Sequence, residues 1–272
     1  MKKTKNKIAI IAGRGGLPLQ LINQFKKDKR EFVIIALKGA VDVNDYAEYE
    51  TYFFYPGQAK KVLTLLKKEK VKELVFAGGL KRPSIWDVRL DVISYKILLK
   101  SVMQGLGDDG LLRLVMAEVE NVGVKIVGAH EICPNLTFSK GILGKIKPSK
   151  QDEVNIKKGS EVLKAMADLD IGQSIIVDSG VVVGVEAIEG TEELIKRCGH
   201  HKLSEKGGVL VKMKKTHQTD KVDMPTVGIK TIEQISEAGF AGIAIEAGNV
   251  LVVDQKEVIK KANELKIFVK AF

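Results

Sequence analysis

Only two cysteines, Cys133 and Cys198, occur among the 272 residues, and they form no metal-binding or disulfide spacing. That argues against a disulfide-stapled secreted scaffold or a cysteine-built zinc site and fits a reduced, cytoplasmic protein. A chain this long can bury roughly 75% of its unfolded surface and needs no such staple. Long apolar runs are also missing: nothing approaches the roughly 20 residues of a membrane span. The opening MKKTKNK leads into IAIIA, which is too short for a signal-peptide core and meets Gly13 and Arg14 at once. Ile8 to Ala12 is therefore expected to be a first strand, and any membrane contact to be peripheral. Aromatic residues make up only 6% of the chain, and no basic stripe carries them interleaved. The net charge of +10 favours anionic partners, yet without those aromatics or a binding-module signature nucleic acid is not an expected one.

What is present is a rhythm of apolar runs, glycine turns and amphipathic stretches. The strand at Ile8 to Ala12 runs into GRGGLP, Gly13 to Pro18, and then into a helix with Leu21, Ile22 and Phe25 on one side. Strand, glycine turn and helix can aim backbone N–H groups at a phosphate. Pro18 stands where GxGxxG has its third glycine, and no acid for a ribose follows the strand at Phe32 to Leu37, which argues against a nicotinamide cofactor. A third strand, Leu74 to Ala77, ends in AGGLKRP, so Gly15 and Gly78 should lie side by side at the carboxyl edge of a parallel sheet, with Lys81 or Arg82 near. Asp108 or Asp109 suits the cap of a helix starting near Leu111, and Val124 to Val127 reads as a fourth strand leading to His130 and Glu131. Residues 1–134 thus read as a Rossmann-like parallel-sheet domain.

Cys133, Pro134 and Asn135 break the pattern, and residues 135–272 read as an α+β domain with a mixed sheet. Asp152 to Asp168 suggests a helix, and Ser174 to Ala187 a hairpin turning at Asp178, Ser179 and Gly180. A second hairpin is expected from Gly242 to Asp254 around Gly248 and Asn249. Three clusters here could carry chemistry. DIGQ, Asp170 to Gln173, sits at a helix–strand junction. In EAIEGTEELIKR, Glu186 to Arg197, Thr191 suits a helix cap and Gly190 gives access to the helix's positive end. The third is KMKKTHQTDKVDMPTVG, Lys212 to Gly228, where Lys212, Lys214, Lys215 and His217 precede Asp220 and Asp223. Cations for phosphate oxygens beside a carboxylate suit phosphoryl chemistry. Glu186, Glu189, Asp223 and Glu246 are candidate ligands of a metal ion. Read from residues alone, a charged surface loop and a nucleotide-sugar binding protein without hydrolase activity both stay open.

Eight motifs in order resemble the LpxI family, the UDP-2,3-diacylglucosamine pyrophosphatases of lipid A synthesis. They are AGRGGLP, FAGGLKRP, GDDGLLR, GAHE, DIGQ, VEAIEGTEELIKR, VLVKMKK and VDMPTVG. The resemblance implies a Rossmann-like first domain, a catalytic second domain with substrate between the two, and Mg²⁺-dependent cleavage of the substrate into UMP and 2,3-diacylglucosamine 1-phosphate. Its essential aspartate falls on Asp223, as metal ligand or base. Gly15, Gly78, Asp108, Gln173, Glu189, Gly190, Thr191, Lys212 and Lys214 are the expected substrate contacts, and Asp220 drops to a surface acid. A lipid-linked substrate also implies peripheral contact with the inner membrane; assembly into a homo-oligomer is left open.

Overall fold

The computed structural model describes residues 6–79, 88–105, 107–169, 171–205, 207–216 and 219–272, with the backbone alone of Asp108 and Asp109. Lys81, Arg82, Asp170, His217 and the Asp108 side chain lie outside the described residues. The chain divides into two compact units, Met1–Cys133 and Pro134–Phe272.

The first unit contains β1 (Ile8–Ala12), α1 (Leu17–Lys27), β2 (Phe32–Leu37), β3 (Thr51–Phe54), α2 (Ala59–Lys68), β4 (Glu73–Ala77), α3 (Val92–Met103), α4 (Asp108–Asn121), β5 (Lys125–Ile126) and α5 (Ala129–Ile132). Its five strands are all parallel, in the order β3-β2-β1-β4-β5. Strands covered by helices on both faces read as continuous apolar runs, as IAIIA and FVIIAL do. The direction of travel across the sheet reverses between β1 and β4, which makes their shared carboxyl edge the switch point where such folds take ligands. Register sets both strands flush there, with Ala12 opposite Ala77. Beyond it the two glycine turns are zipped together: Arg14 N donates to Gly79 O at 2.8 Å and Gly79 N to Arg14 O at 3.1 Å. Gly78 makes this approach possible. Its φ is +89°, and a Cβ there would stand 2.4 Å from the Arg14 carbonyl oxygen.

The second unit contains β6 (Gly141–Leu143), α6 (Lys150–Met166), β7 (Ser174–Asp178), β8 (Val181–Val185), α7 (Gly190–Gly199), β9 (Val209–Lys212), β10 (Thr226–Val227), α8 (Ile229–Glu237), β11 (Gly242–Ile245), β12 (Leu251–Val252), α9 (Gln255–Glu264) and β13 (Phe268–Ala271). Six strands form one mixed sheet, ordered β6-β13-β11-β9-β7-β8. Alternation along the strands sorts its two faces. Ile176, Leu210, Ile243, Ile245 and Val269 pack under α7, α8 and α9, while Ile175, Val177, Val209, Val211 and Phe268 pack under α6.

Several local expectations change. The hairpin of β7 and β8 forms, turning at Ser179 and Gly180, both at positive φ. The second hairpin does not: β11 is bonded on both edges, to β9 and β13, so the chain after Gly248 passes to β12, which pairs in parallel with β10. The strand β3, built from the aromatic run TYFF, adds an outer strand the glycine rhythm did not mark. Helix α4 begins at Asp108 with Gly107 as its N-cap, three residues earlier than Leu111, so Asp108 lies inside the first turn. Glu131 caps its own short helix by accepting from Gly128 N at 2.7 Å.

Candidate functional site

The second unit gathers polar groups at one end of its sheet. In β9 the residues Leu210 and Lys212 share the face covered by α7, and in β7 Ser174 shares that face with Ile176. Ser174 and Lys212 are register partners. Both therefore aim toward the start of α7, where Gly190 and Thr191 stand. The Lys212 ammonium donates to Thr191 Oγ1 at 2.7 Å and to Ser174 Oγ at 3.1 Å. Thr191 Oγ1 donates in turn to Glu186 Oε1 at 2.9 Å. Glu186 leaves the end of β8, its N–H bonded to the Ser174 carbonyl.

A lysine in this setting is electrostatically unusual. Lys212 is 3% exposed, and burial pulls its pKa below the ordinary lysine value, against the carboxylates of Glu186 and Asp223, which pull it back up. Glu186 is 6% exposed, and its Oε2 is buried with no hydrogen-bond partner among the described residues. Asp223 is exposed, in the loop that leads to β10. A buried cation, a buried acid with one uncommitted oxygen and a surface acid thus share one electrostatic neighbourhood. Thr191 does not cap its helix, as its side chain faces Lys212 and Glu186 instead; the N-cap position belongs to Glu189.

The other expected residues are held as follows. Lys214 is bound twice: its N–H donates to Glu246 Oε2 at 3.1 Å and its ammonium pairs with the exposed Asp220. Glu246 follows β11, its own N–H bonded to Lys212 O. Gln173 accepts from Met213 N through its backbone carbonyl. Glu189 Oε2 accepts from Ala187 N, and Oε1 accepts from Arg197 Nε and Nη2 at 3.2 and 2.9 Å. Its pKa is held below the usual carboxylate range, first by its own backbone N–H and then, against burial, by Arg197. Gly190 starts α7 at φ +81° with open space where a side chain would stand. Gly15 and Gly78 belong to the first unit, at the switch point described above.

Ser174 is the site residue that sequence reading missed. The signal was a lone hydroxyl opening the otherwise apolar run SIIV, two positions before a core residue and so on the same face as it. The lysine closing VLVK carries the same message, a charge where the pattern asks for a core side chain.

A Rossmann-like parallel-sheet unit followed by a mixed-sheet α/β unit with a buried lysine–carboxylate site defines the class of protein. Residues 7–136 match the family model of the LpxI N-terminal domain, and residues 139–270 that of the LpxI C-terminal domain. The chain belongs to the LpxI family. It is 36% identical over 270 residues to the UDP-2,3-diacylglucosamine pyrophosphatase LpxI of Caulobacter vibrioides, across 97% of this chain and 96% of that protein.

Proposed function

We propose that this protein hydrolyses the pyrophosphate of UDP-2,3-diacylglucosamine to UMP and 2,3-diacylglucosamine 1-phosphate, a step of lipid A biosynthesis. The 36% identity to a relative bearing that activity in its name carries the reaction; the lysine–carboxylate arrangement supports the assignment of residues.

Pyrophosphate hydrolysis needs its oxygens neutralised and a water aligned with the bond that breaks. Lys212 supplies a cation already desolvated, so its pull on a phosphate oxygen is weakly screened. Gly190 and Thr191 present the positive end of α7 to the same oxygens. Lys214 adds a second cation by exchanging Asp220 for phosphate. Gly15 leaves backbone open at the first unit's switch point, with Gly78 packed against the Arg14 carbonyl to hold that turn in place, and Asp108 and Gln173 contact nucleotide or sugar. Glu189, tied to Arg197, holds the turn that delivers Gly190.

Asp223 carries the chemistry, as the base that takes the water's proton or as a ligand of Mg²⁺. The water oxygen bonds to the uridine-side phosphorus. The bond from that phosphorus to the bridging oxygen breaks, and its electron pair stays with the sugar 1-phosphate. The donor set fits Mg²⁺: the buried Glu186 Oε2 has no hydrogen-bond partner among the described residues, and Asp223 acts on the same lysine. No cluster of three or more His, Cys, Asp or Glu side chains that could hold a metal occurs among the described residues; Mg²⁺ typically takes one or two carboxylates plus substrate phosphates. When bound, Mg²⁺ would neutralise phosphate oxygens.

No helix among the described residues is long and apolar enough to cross a membrane; the lipid-linked substrate calls for a cytoplasmic protein that works peripherally at the inner membrane. The test is direct: purified protein with UDP-2,3-diacylglucosamine and Mg²⁺ should release UMP, and the same mixture without divalent cation should release far less. Tight binding of the substrate with no UMP formed would mark a binding protein instead.

A further inference from the structure

The first unit carries an apolar surface that the chemistry above leaves unused. Helix α3 turns Ser94, Ile97 and Ser101 inward and exposes Val92, Tyr95, Leu98, Leu99, Val102 and Met103, each between 40% and 79% exposed. At 100° per residue these six fall within one arc about 140° wide. Lys96 and Lys100, both exposed, follow each other along one border of that arc. The sequence VISYKILLKSVM contains no acid. Asp91, just ahead of it, is held by the backbone N–H groups of Lys60 and Ser94. Two further cations stand at that end: Lys60, exposed at the start of α2, and Arg89, exposed and stacked 4.0 Å from the Tyr55 ring.

An apolar stripe of this kind is stable in water only at a cost, and it gains when something covers it. A second copy of the chain is a poor cover. The helix carries Lys96 and Lys100 and no acid, so two copies meeting on it would set like charge against like. A bilayer needs no matching shape. Apolar side chains can enter the boundary between headgroups and acyl chains while bordering lysines reach up to lipid phosphates. Tyrosine is at home at that level, and the lysines of a helix that itself holds no acid match an anionic surface.

We propose that α3 docks this protein on an anionic bilayer, with its apolar stripe in the headgroup region and Lys96 and Lys100 on lipid phosphates. The inference rests on the reading of a lipid-linked substrate, and names the surface by which the protein meets the membrane that holds it.

Flotation of the full chain with vesicles tests this. Vesicles of phosphatidylethanolamine and phosphatidylglycerol should carry the protein up, and vesicles of phosphatidylcholine alone should carry much less. The variant Leu99→Glu with Val102→Glu should lose about tenfold or more of the binding, and Lys96→Gln with Lys100→Gln should lose mainly its anionic preference. UMP release from substrate in detergent micelles should be unchanged in both. Should the first variant melt early, Met103→Glu alone, at the most exposed of the six positions, serves in its place. Wild-type protein that ignores anionic vesicles overturns the proposal, as do variants that bind as well as wild type. A concentration-dependent dimer abolished by Leu99→Glu with Val102→Glu, without vesicle binding, would give the stripe to a second copy and also overturn it. UMP release from micelles without vesicle binding removes the docking surface and leaves the hydrolase; vesicle binding without UMP release does the reverse.

Discussion

The ammonium of Lys212 and the carboxylate of Glu186 are joined through a single hydroxyl, that of Thr191, in two hydrogen bonds of 2.7 and 2.9 Å. Cation and acid are both buried, so neither can turn to water when the relay is cut. Thr191→Val keeps the shape and removes the hydroxyl. It should cost about 1–3 kcal/mol, the price of leaving buried polar groups unpaired. Urea unfolding of Thr191→Val, Lys212→Met and the double variant should show a coupling of about 0.5–3 kcal/mol; simple additivity would mean the relay does not act as a unit.

Asp223 differs from these neighbours in being exposed, so its loss should leave the fold intact. Asp223→Ala is expected to lower UMP release by about a hundredfold or more while the melting curve stays in place. Near wild-type turnover with Mg²⁺ would take the chemistry away from this residue.

Asp178 gives the second unit a pH-dependent joint. Burial pushes its carboxyl pKa up, but hydrogen bonds from Ser204 Oγ, Leu203 N, Ser204 N and Ser179 Oγ outweigh it and leave the group below its ordinary value. A depressed carboxylate stabilises the fold fully above its unfolded pKa of about 3.9, and the gain is lost as pH falls toward the folded value. The stability difference between wild type and Asp178→Asn should therefore be largest near neutral pH and shrink below about pH 4. Urea midpoints between pH 7 and pH 3 read this directly; a difference that grew with acid would contradict it.

Gly78 holds the two glycine turns of the first unit together. Gly78→Ala must accept φ +89° and push back the Arg14 carbonyl, which a Cβ would meet at 2.4 Å. Strain at such a position costs about 1–3 kcal/mol, so the variant should melt measurably lower and lose affinity for substrate together. Gly15→Ala, with the same sign of φ but open space around it, should melt closer to wild type.

The sheet of the first unit could be read from its residues because local patterns and glycine punctuation agree there. IAIIA and FVIIAL leave little choice but buried strands, and GRGGLP and AGGLKRP mark where they end. The second unit was less legible. Its run GIAI is equally compatible with a hairpin strand or a central one, and only its pairing partners, β9 and β13, decide. The same holds for the site. Asp223 and Lys212 stood out as charges in a short stretch, but Ser174 and Glu186 lie far from them in sequence and meet Lys212 only through the sheet.

By itself the sequence determined the alternation of strands and helices, the glycine turns and the family, because each rests on local pattern or on motifs in order. Tertiary structure alone decided what Lys212 is. In the chain it is one of several lysines in a basic run, set apart from Lys214 and Lys215 only by closing the apolar run VLVK. In the fold, strand register sets it against Ser174 and under the start of α7, while Lys214, two residues on, pairs with Asp220 at the surface. Burial changes the proton affinity of a lysine, and burial comes from what the rest of the chain places around it.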